Sequence, residues 1–506
     1  GRFTLTSLNS AGSTDPDESS DAYDTIEWAI SSLPDQNGRV GVFGFSYGGF
    51  TTLAALVEPH PAICAASPQA AMADMFSGDD FYMNGPFQIA QALGLAVQLE
   101  TGSGVRWTAE DAYDFFLAAG GVDAAGEQVG AADLPAWRAV RDHPTYDDFW
   151  TAREPALRLA ACDVPCLHVI GWFDVEDFAG PLSVWRAMSE SYRHHPHHLV
   201  IGPWRHGAWV FRARGSAGLG PLTFGEDTTH HFQRRMEAVF FRAWLKDGRA
   251  PDLPRVSLYE LEGAGWREAQ AWPIPNQRPS ELHLQADGLM SKNASAASGA
   301  QSLYSDPSRP APYTRYPVGF YSGRAPGDAD PDVKTRARAL FAVEDQTFLE
   351  GRKDVLTWRS DPLTDDVLLD GAAELIVTAS ADIDDFDLVV HLFDERARAG
   401  QSAYQLPVSR GALRASLRYN REHPEPVPVG HAVEYRIPLQ ARLFRFRAGG
   451  QIGLRIMSSW FPMFAAHPQR FNGTDPYEPS DPLAGHITVF YGRSAGTRLI
   501  LPTAVS

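Results

Sequence analysis

An α/β domain followed by a separate β domain is predicted by three observations. The first is a buried-strand run, Val40–Phe43, that passes through Gly44-Phe45-Ser46-Tyr47-Gly48 into the apolar segment Phe50–Val57, which reads as a buried helix. The second is a pair of later strand-like runs, Val164–Gly171 and His198–Ile201, each leading into a loop with titratable residues. The third is a change of pattern from about Pro275 onward. Short alternating runs such as Glu281-Leu282-His283-Leu284, Glu374–Thr378, Leu388–Phe393, Val433–Ile437 and Ile452–Met457 are broken by Pro, Gly and Asp, as in a β-sandwich.

The amino-terminal part opens with a helix, Ser20–Leu33, behind the acidic entry Asp15-Pro16-Asp17-Glu18. Next comes G-x-S-x-G between a strand and a helix, the context of an α/β-hydrolase nucleophile elbow: glycines permit the sharp turn, and the turn exposes the hydroxyl. Ser46 is therefore the candidate nucleophile, and the backbone N–H of Tyr47 the oxyanion donor. A serine hydroxyl needs a base and an acid that orients it, and in this fold they follow in the order Ser, Asp or Glu, His, on loops after strands. Asp174 lies just past Val164–Gly171, and His206 lies in the loop after His198–Ile201. Taken singly, Asp174 could cap the helix Phe178–Met188 and His206 could be a surface histidine; their order and placement favour the triad Ser46, Asp174, His206.

Three regions follow. Residues 1–82 and 161–260 form the hydrolase domain, ending in a long amphipathic helix, Asp227–Lys246. Residues 83–160, rich in Ala, Gly, Trp and Asp, form an inserted helical cap. Residues 275–506 form the β domain. Only one helix precedes the elbow strand, so the first strands of a hydrolase sheet are expected to be absent, which would leave an exposed sheet edge.

The chain has 506 residues, enough for two or three domains. Its net charge of −18 argues against nucleic acid or an anionic membrane as partner and suits cationic small substrates. No stretch of about twenty apolar residues appears. Cys64, Cys162 and Cys166 are expected to be free, since alternation along the strand separates the last two. His194, His195, His197 and His198 lack metal-site spacing and read as a solvated loop entering a strand, so neither metal nor cofactor is expected. Trp460-Phe461 reads as core packing. Acids crowd the site: Asp174 is followed by Val175-Glu176-Asp177, and Asp79-Asp80 follow the elbow. From the residues alone, Glu176 and Asp177 are first-turn acids favoured by a helix dipole.

GFSYGG, GWFDVEDF and GPWRHG resemble the corresponding segments of the serine hydrolases that include α-amino acid ester hydrolases, cocaine esterase and X-prolyl dipeptidyl peptidases. DAYDTIEWAISSLPDQNGRVGVFGFSY, EPHPAICAASPQAAMADMFSGDDF, SSWFPMF and HPQRF extend the likeness over nearly the whole chain, most closely toward the ester hydrolases. The resemblance implies a jelly roll for the β domain and a substrate α-ammonium held by Asp80, Glu176 and Asp177. It also implies acyl transfer to amines such as β-lactam nuclei, a homo-oligomer, and a periplasmic or secreted location. A tyrosine hydroxyl that supplies the second oxyanion donor in that family finds no match here, and Gly48 stands where relatives often carry an acid. The alternatives are an X-prolyl dipeptidyl peptidase or broad carboxylesterase of the same family, and a catalytically inactive binding protein or fragment.

Overall fold

A computed structural model of the chain describes residues 17–190, 196–211, 217–275, 277–326, 330–398, 401–473, 477, 481–492 and 496–503. The chain forms two compact units. One comprises residues up to Asp80 together with Tyr146–Trp272; the other joins Phe81–Thr145 to the residues from Pro273 onward.

The first unit is a six-stranded sheet. Helix α1 (Glu18–Ser32) starts at a capping box, in which the Asp17 carboxylate accepts from Ser20 N–H at 2.8 Å and Ser20 Oγ accepts from Asp17 N–H at 2.9 Å. Strand β1 (Val40–Phe45) leads into α2 (Tyr47–Val57), and β2 (Ile63–Gln69) pairs with β1 in parallel. Strands β3 (Cys166–Gly171) and β4 (His197–Gly202) continue the parallel order, followed by Val256–Glu260 in parallel and Gly265–Ala269 antiparallel at the far edge. Among the described residues β1 pairs on one side only, so it forms the other edge, with Phe43 exposed.

Both sheet faces are covered, which is why β3 and β4 read as near-continuous apolar runs. Ala66, Cys166, Leu53, Leu56, Val184 and Met188 pack on the face shared by α1, α2 and the helix Ala179–Glu190. Ala65, Leu167, Val169, Phe232, Phe240 and Trp244 pack on the other, under the helical run Thr228–Asp247. That run contains two π turns, Gln233–Glu237 and Ala243–Asp247, where the sequence predicts an unbroken α-helix.

The segment expected as one cap is divided between the units. Helices Ile89–Thr101, Ala112–Ala119, Val122–Gln128 and Pro135–Arg141 belong with the β domain, whereas Asp148–Thr151 and Ala156–Leu159 belong with the α/β unit. Aromatic contacts account for the first group: Trp107 stacks on Phe320 with centroids 4.4 Å apart, and Tyr113 meets Phe461 edge to face. The β domain is a thirteen-stranded, mostly antiparallel assembly. Trp460 and Phe461 are buried in it as expected. The three cysteines are free. His198 is buried in β4 as its strand pattern predicts, whereas His197 corrects the expectation of a solvated loop, since it too is buried in that strand; His194 and His195 lie outside the described residues. No described helix is long and apolar enough to cross a membrane.

Candidate active site

The three candidate triad residues stand at the carboxyl ends of strands in one sheet, where ligands bind in open α/β sheets. Ser46 follows β1 with φ 59° and ψ −128°, the strained turn that the elbow requires. Its N–H donates to Gln69 O at 3.0 Å, which fixes the turn against the end of β2. A methyl group on Gly44 would stand 2.2 Å from Gly48 O, so the turn closes only with glycine there. A side chain at Gly48 itself would meet nothing within 4 Å. The Ser46 hydroxyl makes no capping hydrogen bond to α2, although serine commonly does so at a helix start. Tyr47 opens α2 with its N–H at the positive end of the helix, and its hydroxyl donates to the buried Glu18 at 3.0 Å.

Asp174 and His206 are brought together by the level register of β3 and β4, in which Gly171 faces Gly202. Beyond the strands the pairing continues, with Trp172 N–H donating to Gly202 O at 2.8 Å and Phe173 N–H to Trp204 O at 2.9 Å. Asp174 is fully buried, and Oδ1 accepts from the N–H groups of Glu176 and Asp177, each at 3.0 Å. His206 Nδ1 lies 2.9 Å from Asp174 Oδ2 and 3.1 Å from Oδ1. The imidazole packs on Phe45, the neighbour of Ser46, with ring centroids 5.0 Å apart. At its other nitrogen, Nε2, His206 meets Glu176 Oε2 at 3.3 Å.

His206 is thus flanked by a carboxylate at each nitrogen. Burial lowers its pKa, but Asp174, Glu176 and Asp80 outweigh burial and push it up to about 10. A general base must be neutral, so the free enzyme holds the proton that it must lose. Turnover of an uncharged ester is therefore expected to rise with pH through the neutral range toward about pH 10. Glu176→Gln removes one of the carboxylates and should move that limb to lower pH. A pH profile of kcat/KM checks this, and a limb that stays in place after the substitution would dissociate Glu176 from His206.

The four extra acids have different surroundings. Asp79 is a backbone anchor: its two oxygens accept from Ala73, Asp74, Phe178, Ala179 and Gly180 N–H at 3.0–3.1 Å. It therefore fills, for the helix Ala179–Glu190, the role that the sequence offers to Glu176 and Asp177. Asp80 is buried with φ +47°, and its N–H donates to Glu176 O at 3.0 Å. Asp177 is fully buried, and neither of its carboxyl oxygens has a hydrogen-bond partner among the described residues. Burial, reinforced by Asp80, Asp79, Asp174 and Glu176, raises its carboxyl well above the usual range.

Sequence reasoning missed Gln69, which links the elbow to the histidine loop. Its carbonyl accepts from Ser46, its Oε1 accepts from Trp209 Nε1–H at 2.8 Å, and its Nε2 donates to Glu237 at 2.8 Å. The only available cue was a polar residue at the end of an apolar strand.

An elbow serine, a buried aspartate–histidine pair and a parallel sheet define a serine-type hydrolase of the α/β-hydrolase fold. Residues 4–208 match the model of X-Pro dipeptidyl-peptidase (S15 family), and residues 249–493 match that of the X-Pro dipeptidyl-peptidase C-terminal non-catalytic domain. The chain is 31% identical to a solved α-amino acid ester hydrolase, with a TM-score of 0.89 over 97% of this chain and 81% of that one. An aminopeptidase from a marine sediment Thaumarchaeota archaeon gives 30% identity and a TM-score of 0.90 over 98% and 82%. Cocaine esterase of Rhodococcus sp. (strain MB1 Bresler) is 29% identical over 88% of this chain and 77% of its own length. The chain belongs to the X-Pro dipeptidyl-peptidase S15 family of serine hydrolases, which includes cocaine esterase and the α-amino acid ester hydrolases.

Proposed function

We propose that this hydrolase cleaves esters of α-amino acids through an acyl-enzyme on Ser46, and that the substrate ammonium is held by Asp80, Glu176 and Asp177. The observation that carries this reading is the surplus of carboxylate around His206. Hydrolysis of a neutral acyl group needs only Asp174, and Asp79 already serves the neighbouring helix. Glu176 at Nε2 and Asp177, whose carboxyl oxygens accept no hydrogen bond among the described residues and lie no nearer than 3.9 Å to His206 Nδ1, remain to attract a cation. The solved relative named for α-amino acid esters supports the same direction.

The electrostatics link recognition to chemistry. An entering ammonium competes with the His206 imidazolium for Glu176, which lowers the histidine pKa and frees Nε2 to turn toward Ser46. His206 then takes the Ser46 proton as Oγ attacks the ester carbonyl, and the Tyr47 N–H stabilises the oxyanion. The proton passes to the departing alcohol, leaving the acyl-enzyme. Water attacks in the second half-reaction, with His206 again as base; an amine such as a β-lactam nucleus in its place gives acyl transfer.

The test compares phenylglycine methyl ester with the matching phenylacetate ester, which lacks only the amine. A charge pair in a partly desolvated pocket is worth roughly 2–5 kcal/mol when one partner is removed, so a kcat/KM preference of about thirtyfold or more is expected. The preference should fade as pH rises through the pKa of the substrate amine. Glu176→Gln with Asp177→Asn should erase most of it, read as the ratio between the two esters. Equal rates on both esters in the unsubstituted enzyme would remove the ammonium site and favour a broad carboxylesterase.

A further inference from the structure

The amino ends of β3 and β4 carry a second cluster of chemically capable side chains, at the other end of these strands from Asp174 and His206. Cys166 heads β3, and His197, its register partner, heads β4. His168 lies two residues along β3, on the same face as Cys166 by strand alternation. One ligand-type atom from each of the three falls within 4.8 Å of the others, and all three residues are buried. The His168 and His197 rings are 6.1 Å apart between centroids and inclined at 70°. His168 Nε2 and both ring nitrogens of His197 are buried without a hydrogen-bond partner among the described residues. An unpaired buried polar atom costs roughly 1–3 kcal/mol, so three in one cluster call for a ligand.

We infer that Cys166, His168 and His197 bind a zinc ion that fastens β3 to β4. The donor set selects the metal: one thiolate with two neutral imidazoles suits zinc and disfavours magnesium or calcium, which take oxygen ligands. Tetrahedral zinc places such donors about 3.5 Å apart, so the three atoms, now within 4.8 Å of one another, would draw closer on binding, and a water would complete the tetrahedron. Binding converts the Cys166 thiol to a thiolate and releases its proton to solvent; both histidines bind as neutral rings. The role is structural. Each strand has six residues and spans roughly 20 Å, so the ion stands remote from Asp174 and His206 while holding the register that presents them. The proposal departs from the expectation, drawn from the spacing of the histidines alone, that no metal binds.

The full chain, produced with zinc in the medium and exchanged into chelator-free buffer, should retain about one equivalent of zinc per chain by mass spectrometry. Produced with cobalt instead, it should show the visible bands of tetrahedral cobalt(II) and a thiolate-to-cobalt charge-transfer band. Cys166→Ser should lose the charge-transfer band, and Cys64→Ser, at a free thiol elsewhere in the same unit, should keep it. If Cys166→Ser fails to fold, the zinc and cobalt content of the unsubstituted chain still decides the matter. Folded protein with well under a tenth of an equivalent of either metal would overturn the proposal, as would a charge-transfer band that survives Cys166→Ser.

Discussion

Ser46→Ala is expected to abolish fluorophosphonate labelling and to lower ester turnover by about 10⁶-fold, the scale seen when a triad nucleophile is removed. The substitution isolates chemistry from folding. Ser46 occupies φ 59°, a conformation that any side chain with a Cβ strains equally, so alanine adds no backbone cost beyond what serine already bears. Its hydroxyl makes no capping bond to α2, so the helix start loses nothing. The amide bond that fixes the turn, Ser46 N–H to Gln69 O, is independent of the side chain. Thermal unfolding should therefore be nearly unchanged while activity disappears. Labelling that survives in Ser46→Ala would place the nucleophile elsewhere.

Much of this site was legible because its chemistry is tied to local rules. The elbow needs glycine at Gly44, where a side chain would run into the Gly48 carbonyl, and that requirement is written in a contiguous motif. Asp174 and His206 could be located because they follow apolar runs long enough to be strands, and the observed β3 and β4 end within a residue of those runs. What stayed illegible depends on contacts distant in sequence. Asp79 and Asp80 are adjacent, yet only folding brings Asp79 under the amides of residues 178–180 and leaves its neighbour near His206. The same holds for Gln69, which gains its role from Trp209, 140 residues away. His197 misled because histidines beside Pro196 suggest a loop, whereas it opens β4 and pairs with Cys166 of β3. The cap expected over residues 83–160 reflects composition, which is uniform there; the division at Thr145 follows from aromatic partners such as Phe320 and Phe461 that composition cannot reveal.

Asp174→Asn should cut turnover by about 10⁴-fold with the fold retained, and His206→Ala should do at least as much. For Asp174 the loss comes from the tautomer more than from the charge. In the native site both carboxylate oxygens face His206 Nδ1, at 3.1 and 2.9 Å, so Nδ1 keeps its proton, and it is Nε2 that gives up its proton and becomes the base for Ser46. An asparagine there still needs its oxygen to accept from the N–H groups of Glu176 and Asp177. Its amide NH₂ is then turned toward Nδ1 as a donor. The neutral ring responds by moving its proton to Nε2, where it cannot act as the base for Ser46. Loss of the carboxylate also lowers the histidine pKa, so a neutral imidazole becomes more abundant at pH 7. The two effects oppose each other, which gives the substitution a signature: the acidic limb of the pH profile moves down while the plateau collapses. A plateau within tenfold of the native value would show that Asp174 acts only through charge, and the orientation assigned to His206 would be wrong.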